Sequence, residues 1–213
     1  MKIKTFHGGY DDNLSYIISC DKTNRCAIID ASVSLVPIIE YIDNNSLFVD
    51  KILITHTHHD HISYLDEYVY KFPNAIICGH AIAINSHVSK NLDHNQLISI
   101  GQEHLISLYT PGHYWDSMCY YNYKSKILFT GDTIFVGRTG RTISKRSSIR
   151  DLYNSVYKII LTLPYDTMIF PGHHYGHTKS ISIKENIRIS EFLQCNDFTE
   201  FNKIMENFEQ KRK

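Results

Sequence analysis

Four imidazoles and a carboxylate fall within six residues, His56-Thr57-His58-His59-Asp60-His61, directly after the apolar run Ile52-Leu53-Ile54. Side chains two apart in extended backbone share a face, so His56 and His58 are expected to leave a strand end together and grip one cation. Asp60 and His61, past the turn, would face a second position. Three more polar residues follow apolar strands directly, in Thr110-Pro111-Gly112-His113, Phe129-Thr130-Gly131-Asp132 and Phe170-Pro171-Gly172-His173. A glycine ahead of each lets the backbone turn sharply, as a side chain aimed from a strand end at a shared point requires. Five imidazoles and two carboxylates without a thiolate suit Zn²⁺, Fe²⁺ or Mn²⁺ better than Ca²⁺ or Mg²⁺. The plain alternative for the first stretch is a polar loop that happens to be rich in histidine. His59 points against its neighbours, and His7, His80, His87, His94, His104, His174 and His177 lack a matching spacing, so none of these is assigned a role.

The elements that must carry these residues alternate between strand and helix. Leu14 to Ser19 and Cys26 to Asp30 read as a hairpin around Asp21-Lys22-Thr23-Asn24. A helix follows from Ser34 to Asn44-Asn45, with Leu35, Ile38, Ile39 and Ile42 at helical spacing. After the histidine stretch come a helix from Ile62 to Lys71, a strand from Ala75 to Cys78 and a short helix from Ala81 to Ser86. Strands are predicted over Glu103 to Thr110, Met118 to Tyr123, Ile127 to Thr130 and Thr167 to Phe170. Ser148 with Asp151 resembles a capping box opening a helix whose stripe is Leu152, Val156, Ile159, Ile160 and Leu163, ending at Pro164. A tail helix is expected from Asp197 to Lys213, with Phe198, Phe201, Ile204, Met205 and Phe208 inward. Such interleaving predicts two sheets packed between outer helices.

The chain has 213 residues, 43% of them hydrophobic, which suits a single globular domain with a sizeable core. Lys plus Arg and Asp plus Glu are both 22, so no net field recruits nucleic acid or an anionic membrane. Five widely spaced cysteines without a C-x-x-C do not make a disulfide framework, and no signal-peptide or membrane-spanning run is present. A cytoplasmic home is expected.

The order H-x-H-x-D-H, T-P-G-H, T-G-D, P-G-H over residues 55 to 173 resembles the metallo-β-lactamase fold hydrolases, within them the glyoxalase II-like branch, the hydroxyacylglutathione hydrolases. The resemblance implies an α+β architecture: an αββα sandwich of two mixed sheets packed face to face, with helices on both outer faces. It implies one domain over 1–213 with a short helical tail from about residue 178. By the same resemblance His56, His58 and His113 hold one divalent ion, Asp60, His61 and His173 hold a second, and Asp132 bridges them. The ions would be zinc first, iron or manganese otherwise. The implied reaction is hydrolysis of a thioester or ester, a hydroxyacylglutathione first, by a metal-bridging hydroxide, with Asp60 as the catalytic proton shuttle. The basic stretch after Asp132 suits a small anionic substrate, and Arg141 and Tyr175 fall where the family meets glutathione.

Departures limit the likeness. Ile143 stands where glyoxalase II has an aromatic residue, only 40 residues follow His173, and His113 is followed by Tyr114-Trp115-Asp116-Ser117. The persulfide dioxygenases also resemble the chain in length and short tail, and would use one Fe²⁺ on His56, His113 and Asp132. Their acidic residue after the Gly-Arg pair is missing here, at Thr142-Ile143. Lactonase or β-lactamase activity and a non-catalytic metal-binding role complete the alternatives.

Overall fold

The computed structural model describes residues 1–211. The first half runs β1 (Lys2–Gly8), β2 (Asn13–Ser19), β3 (Arg25–Ile29), α1 (Leu35–Asn44), β4 (Phe48–Leu53), α2 (Leu65–Lys71), β5 (Ile76–His80) and β6 (Lys90–Leu92). The second runs β7 (Gln96–Ile100), β8 (Glu103–Tyr109), β9 (Met118–Asn122), β10 (Ile127–Gly131), α3 (Ile149–Lys158), β11 (Met168–Pro171), β12 (Ile181–Ser182), α4 (Ile183–Ile189) and α5 (Phe198–Gln210). Each half supplies one six-stranded sheet, ordered β1-β2-β3-β4-β5-β6 and β12-β11-β10-β9-β8-β7. Both are mixed: β3 to β6 pair in parallel, as do β10 and β11, while the other pairs are antiparallel. Parallel neighbours need crossovers, which α1, α2 and α3 supply for β3–β4, β4–β5 and β10–β11, while turns carry the chain from β5 to β6.

Alternation along each strand divides the core into three layers. Leu14, Tyr16, Ile18, Leu105, Tyr120 and Phe129 fill the space between the sheets. Ile28, Ile52, Ile38 and Tyr68 pack the first sheet on α1 and α2, and Leu128, Ile169, Val156, Phe201 and Met205 pack the second on α3 and α5. Phe129 is fully buried, and truncating such a side chain to alanine costs about 3–5 kcal/mol. The αββα sandwich is thus present as expected.

The sheets are tied together at the end where the polar residues emerge. Leu14 N–H donates to the Gly172 carbonyl at 2.7 Å, and Met118 N–H to the Thr55 carbonyl at 2.7 Å. The buried Tyr16 hydroxyl crosses from β2 to the Pro171 carbonyl at 2.6 Å. A buried hydroxyl without an acceptor would cost about 1–3 kcal/mol, so these bonds fix how the two strand ends meet.

Some predicted elements differ. Residues 81–86 form turns rather than a helix, because Ala83 N–H returns to the His80 carbonyl and the Asn85 side chain accepts from His87 N–H. The helix predicted from Ile62 begins at Leu65, and the α3 stripe breaks at Ile159 into a 3₁₀ turn, Ile160–Thr162. Strands β1, β6, β7 and β12 have no counterpart in the prediction. The tail helix is α5 from its Asp197 cap; the predicted positions 212 and 213 lie outside the described residues.

Candidate metal centre

His56 follows β4 and stands on the loop rather than in the strand, and a 3₁₀ turn, His59–His61, swings Asp60 and His61 back toward it. The other three polar residues arrive from the second sheet: His113 after β8, Asp132 after β10 and His173 after β11. Two glycines make the approach geometrically feasible. Gly131 has φ +47°, a left-handed conformation that L side chains rarely adopt, and a Cβ there would lie 2.6 Å from Thr55. At Gly172 a Cβ would lie 2.4 Å from Asp132 Oδ1 and 2.6 Å from His61 Cε1.

All seven predicted residues come together. His58 Nδ1 lies 3.0 Å from His56 Nε2 and 2.9 Å from His113 Nε2. His61 Nε2 and His173 Nε2 are 3.2 Å apart, with Asp60 Oδ2 3.4 and 3.2 Å from them. Asp132 reaches both groups, 3.1 Å from His61 Nε2, 3.3 Å from His173 Nε2 and 3.5 Å from His113 Nε2. Ligand atoms lie within 4.8 Å of one another in the sets His56–His58–His113, His56–His61–Asp132 and Asp60–His61–His173. His59 is exposed and turned toward Tyr10, apart from the cluster.

The outer nitrogens of the rings show why the inner ones suit a cation. A carbonyl or carboxylate oxygen can only accept, so His113 Nδ1 donates to the Arg141 carbonyl at 2.8 Å and His173 Nδ1 to the Asp11 carbonyl at 2.6 Å. His61 Nδ1 donates to Asp30 Oδ2 at 2.8 Å. Thr55 Oγ1 gives its proton to Asp30 Oδ2 at 2.7 Å and so accepts from His56 Nδ1 at 3.2 Å. In each neutral ring the remaining Nε2 is a bare lone pair aimed inward, and such outer bonds fix ligand rings in metal sites. Lone pairs facing one another at about 3 Å repel unless a cation or proton sits among them. The donor set therefore fits two divalent transition-metal ions.

Charge divides the cluster. Burial lowers His56 well below the usual histidine range, with the His61 charge adding to it, and burial together with His113 takes His58 down to about 4. His113 is lowered chiefly by burial against the opposing pull of Asp132. Burial also works against charge on His61 and His173, but there carboxylates outweigh it: Asp132 and Asp30 raise His61 strongly, and Asp132 and Asp60 carry His173 to about 9. Burial would raise Asp60, yet His173, His61 and the Asn13 amide hold it well below the usual carboxylate range.

Several residues here were absent from the prediction. Asp30, buried at φ +57° after β3, takes Thr55 N–H and Oγ1 and His61 Nδ1 on its carboxylate. Buried Asn13 accepts from the N–H groups of Tyr10 and Asp11, which turns its amide nitrogen toward Asp60 Oδ2 at 2.9 Å. Asp116 accepts from the Thr57 hydroxyl at 2.5 Å. Asp30 carried the sign used for the other positions, a polar residue directly after an apolar strand, but without the glycine.

A cleft of about 290 Å³ opens onto the cluster, lined by His58, Asp60, Asp132 and His173 with Arg141 and Tyr175. Arg141 is exposed, and among the described residues no carboxylate pairs with its guanidinium. The Tyr175 hydroxyl donates to Asp11 Oδ2, its ring stacks on His173 at 4.7 Å, and the Arg138 guanidinium lies 4.1 Å from its centre.

The chain matches the Metallo-beta-lactamase superfamily over residues 8–173. A probable hydroxyacylglutathione hydrolase of Schizosaccharomyces pombe is 32% identical to it, covering 81% of this chain and 67% of the relative. A probable polyketide biosynthesis zinc-dependent hydrolase of Bacillus subtilis is 29% identical over 90% of this chain and 86% of the relative. The crystal structure of ETHE1 from Myxococcus xanthus superposes with a TM-score of 0.90 at 27% identity, covering 98% of this chain and 91% of that one. Against hydroxyacylglutathione hydrolases the chain spans 62% to 67% of their length.

Proposed function

The chain belongs to the metallo-beta-lactamase superfamily of metallo-hydrolases, and from that premise we propose that it hydrolyses a small anionic thioester of the hydroxyacylglutathione type. Supporting this is the convergence of five imidazoles, Asp60 and Asp132 on a cleft that also presents Arg141. His56, His58 and His113 would hold one divalent ion and Asp60, His61 and His173 the other, with Asp132 shared; zinc is the first choice, iron or manganese the alternatives. Bound there, such ions lower the pKa of water toward neutrality and polarise the attacked carbonyl.

The protein's own groups do the rest. Arg141 receives the substrate carboxylate, where a guanidinium makes paired hydrogen bonds. Asp60, whose carboxylate is oriented by Asn13 at the edge of the cleft, is the group placed to take the proton that the attacking water loses. Tyr175 shapes the wall with its ring, its hydroxyl being engaged by Asp11. One domain with a short helical tail belongs to the same reading, as does a reducing, cytoplasmic compartment. All five cysteines are buried free thiols, and among the described residues no helix is long and apolar enough to cross a membrane.

Metal analysis with a lactoylglutathione assay tests the reading. Two zinc equivalents and thioester cleavage are expected, and a His58→Ala variant that kept full metal content and turnover would overturn it. A second reading, an iron-dependent persulfide dioxygenase, draws on His56, His113 and Asp132, which offer two imidazoles and one carboxylate within the same cluster, a set that suits one Fe²⁺. One iron equivalent with O₂ uptake on glutathione persulfide would select it.

A further inference from the structure

The loop that carries Arg141 is held from two sides. On one, His113 Nδ1 donates to the Arg141 carbonyl at 2.8 Å. On the other, Glu209, near the C-terminal end of α5, accepts on Oε1 from Thr142 N–H at 2.7 Å and from Thr142 Oγ1 at 2.8 Å. The same helix reaches the loop twice more, through Met205 Sδ, which accepts from Thr139 Oγ1 at 3.3 Å, and through Phe208, 5.6 Å from the Arg138 guanidinium. A carboxylate this near an arginine would ordinarily be drawn to its guanidinium. Here Glu209 is occupied by the Thr142 donors, and Arg141 beside them lines the cleft.

We propose that Glu209 is a positioning residue that sets Arg141, and with it the preference for anionic substrates, by clamping Thr142 from the tail helix. This rests on Arg141 being the anion-binding group of the proposed function. The reach of the Arg141 side chain starts from its backbone, so a loop free to shift adds its own displacements to the rotamers the guanidinium already samples. Two donors of Thr142, its N–H and its hydroxyl, meet on one oxygen of Glu209, so a single side chain fixes both the backbone and the side chain of the residue next to Arg141. Releasing them lets the loop sample other conformations, and ligand affinity falls by the fraction of time Arg141 is misplaced.

Glu209→Ala removes the acceptor, while Glu209→Gln keeps an Oε1 that can accept from both Thr142 donors. With Glu209→Ala the KM for lactoylglutathione is expected to rise about tenfold with kcat within about twofold. The KM for a thioester without a carboxylate, and the metal content, should stay as in the parent protein, and Glu209→Gln should restore most of the loss. Independently of turnover, amide hydrogen exchange across 138–146 should quicken in Glu209→Ala and not in Glu209→Gln, and affinity for S-methylglutathione measured by calorimetry should fall in parallel with the KM change. Equal KM changes for charged and uncharged thioesters, or unchanged exchange at 138–146, would overturn the proposal. A parent protein that fails to cleave lactoylglutathione sinks the proposed function instead, and the exchange and calorimetric arms still judge the clamp.

Discussion

The two halves of the metal centre use similar side chains to opposite electrostatic ends. His56, His58 and His113 are three imidazoles kept neutral, chiefly by burial, with His58 down to about 4. Asp60, His61 and His173 sit among carboxylates that keep the rings charged without metal, His173 up to about 9. The first half is a preformed set of lone pairs. The second is a cation site occupied by protons until something stronger displaces them. Asp132 and Asp30 both span the division, the first by direct approach to both groups and the second through Thr55 to His56 and directly to His61. Neutral and charged imidazoles within a few ångströms of one another thus follow from which oxygen atoms stand beside each ring.

Breaking the shared carboxylate has the largest expected effect. Asp132→Ala should release both ions and lower kcat/KM by roughly 10³-fold, about 4 kcal/mol, as followed by metal analysis and thioester turnover. A variant that still held one tight ion on His56, His58 and His113 would show that the halves do not depend on Asp132 in common.

Proton displacement sharpens the comparison next. His173, raised to about 9, carries a proton at pH 7 in the metal-free protein, so filling its half must release that proton. Because His61 is held charged beside it, affinity there should climb by up to about a hundredfold per pH unit from pH 7 and less steeply above about pH 9, where His173 is already neutral, whereas the half containing His58, already neutral above about pH 5, should be nearly flat. The stability of the metal-free protein carries the complementary sign: the raised His173 contributes fully below its ordinary value near 6.5, and its contribution is lost as pH rises through about 9. Zinc titrations at fixed pH in weakly buffered solution would read the released protons, and identical pH slopes for both halves would contradict the division.

Asn13 tests the second half alone. Its amide is the donor that turns Asp60 toward His61 and His173, and it touches none of the other three histidines. Asn13→Ala should weaken the second ion by about 10–100-fold and leave the first in place, giving a protein with one metal equivalent on dialysis.

Neither Asn13 nor this division of charge was legible in the sequence, while the seven residues that cluster were. His113, Asp132 and His173 follow a local rule, an apolar strand, a glycine and then a polar side chain, which any reader of Phe129-Thr130-Gly131-Asp132 can apply. Asn13 meets its partners across 47 and 160 residues of chain, and nothing local marks it. The sandwich was legible because helical and strand periods interleave, but strands β1 and β7, at the sheet edges, pack only one face closely and have a weaker pattern. The false helix at 81–86 shows side chains capturing backbone groups before a helix can.

The smallest expected effect falls on the first half through α3. Ser148 caps that helix by accepting from Asp151 N–H at 3.2 Å, and its own N–H donates to the Gly112 carbonyl at 2.8 Å, directly before His113. Ser155 Oγ adds a bond to the Pro111 carbonyl at 2.6 Å, so the first two turns of α3 brace the loop that delivers His113. Ser148→Ala keeps the backbone bond and loses only the cap, a cost of about 1 kcal/mol and a fall in Tm of about 2–4 °C. Because the loosened turn lies behind His113, chelator-driven release of the first ion should quicken by less than about tenfold while the second is unaffected. Faster release of both ions would mean that α3 steadies the whole centre, and the independence of the two halves would then end at their shared carboxylates.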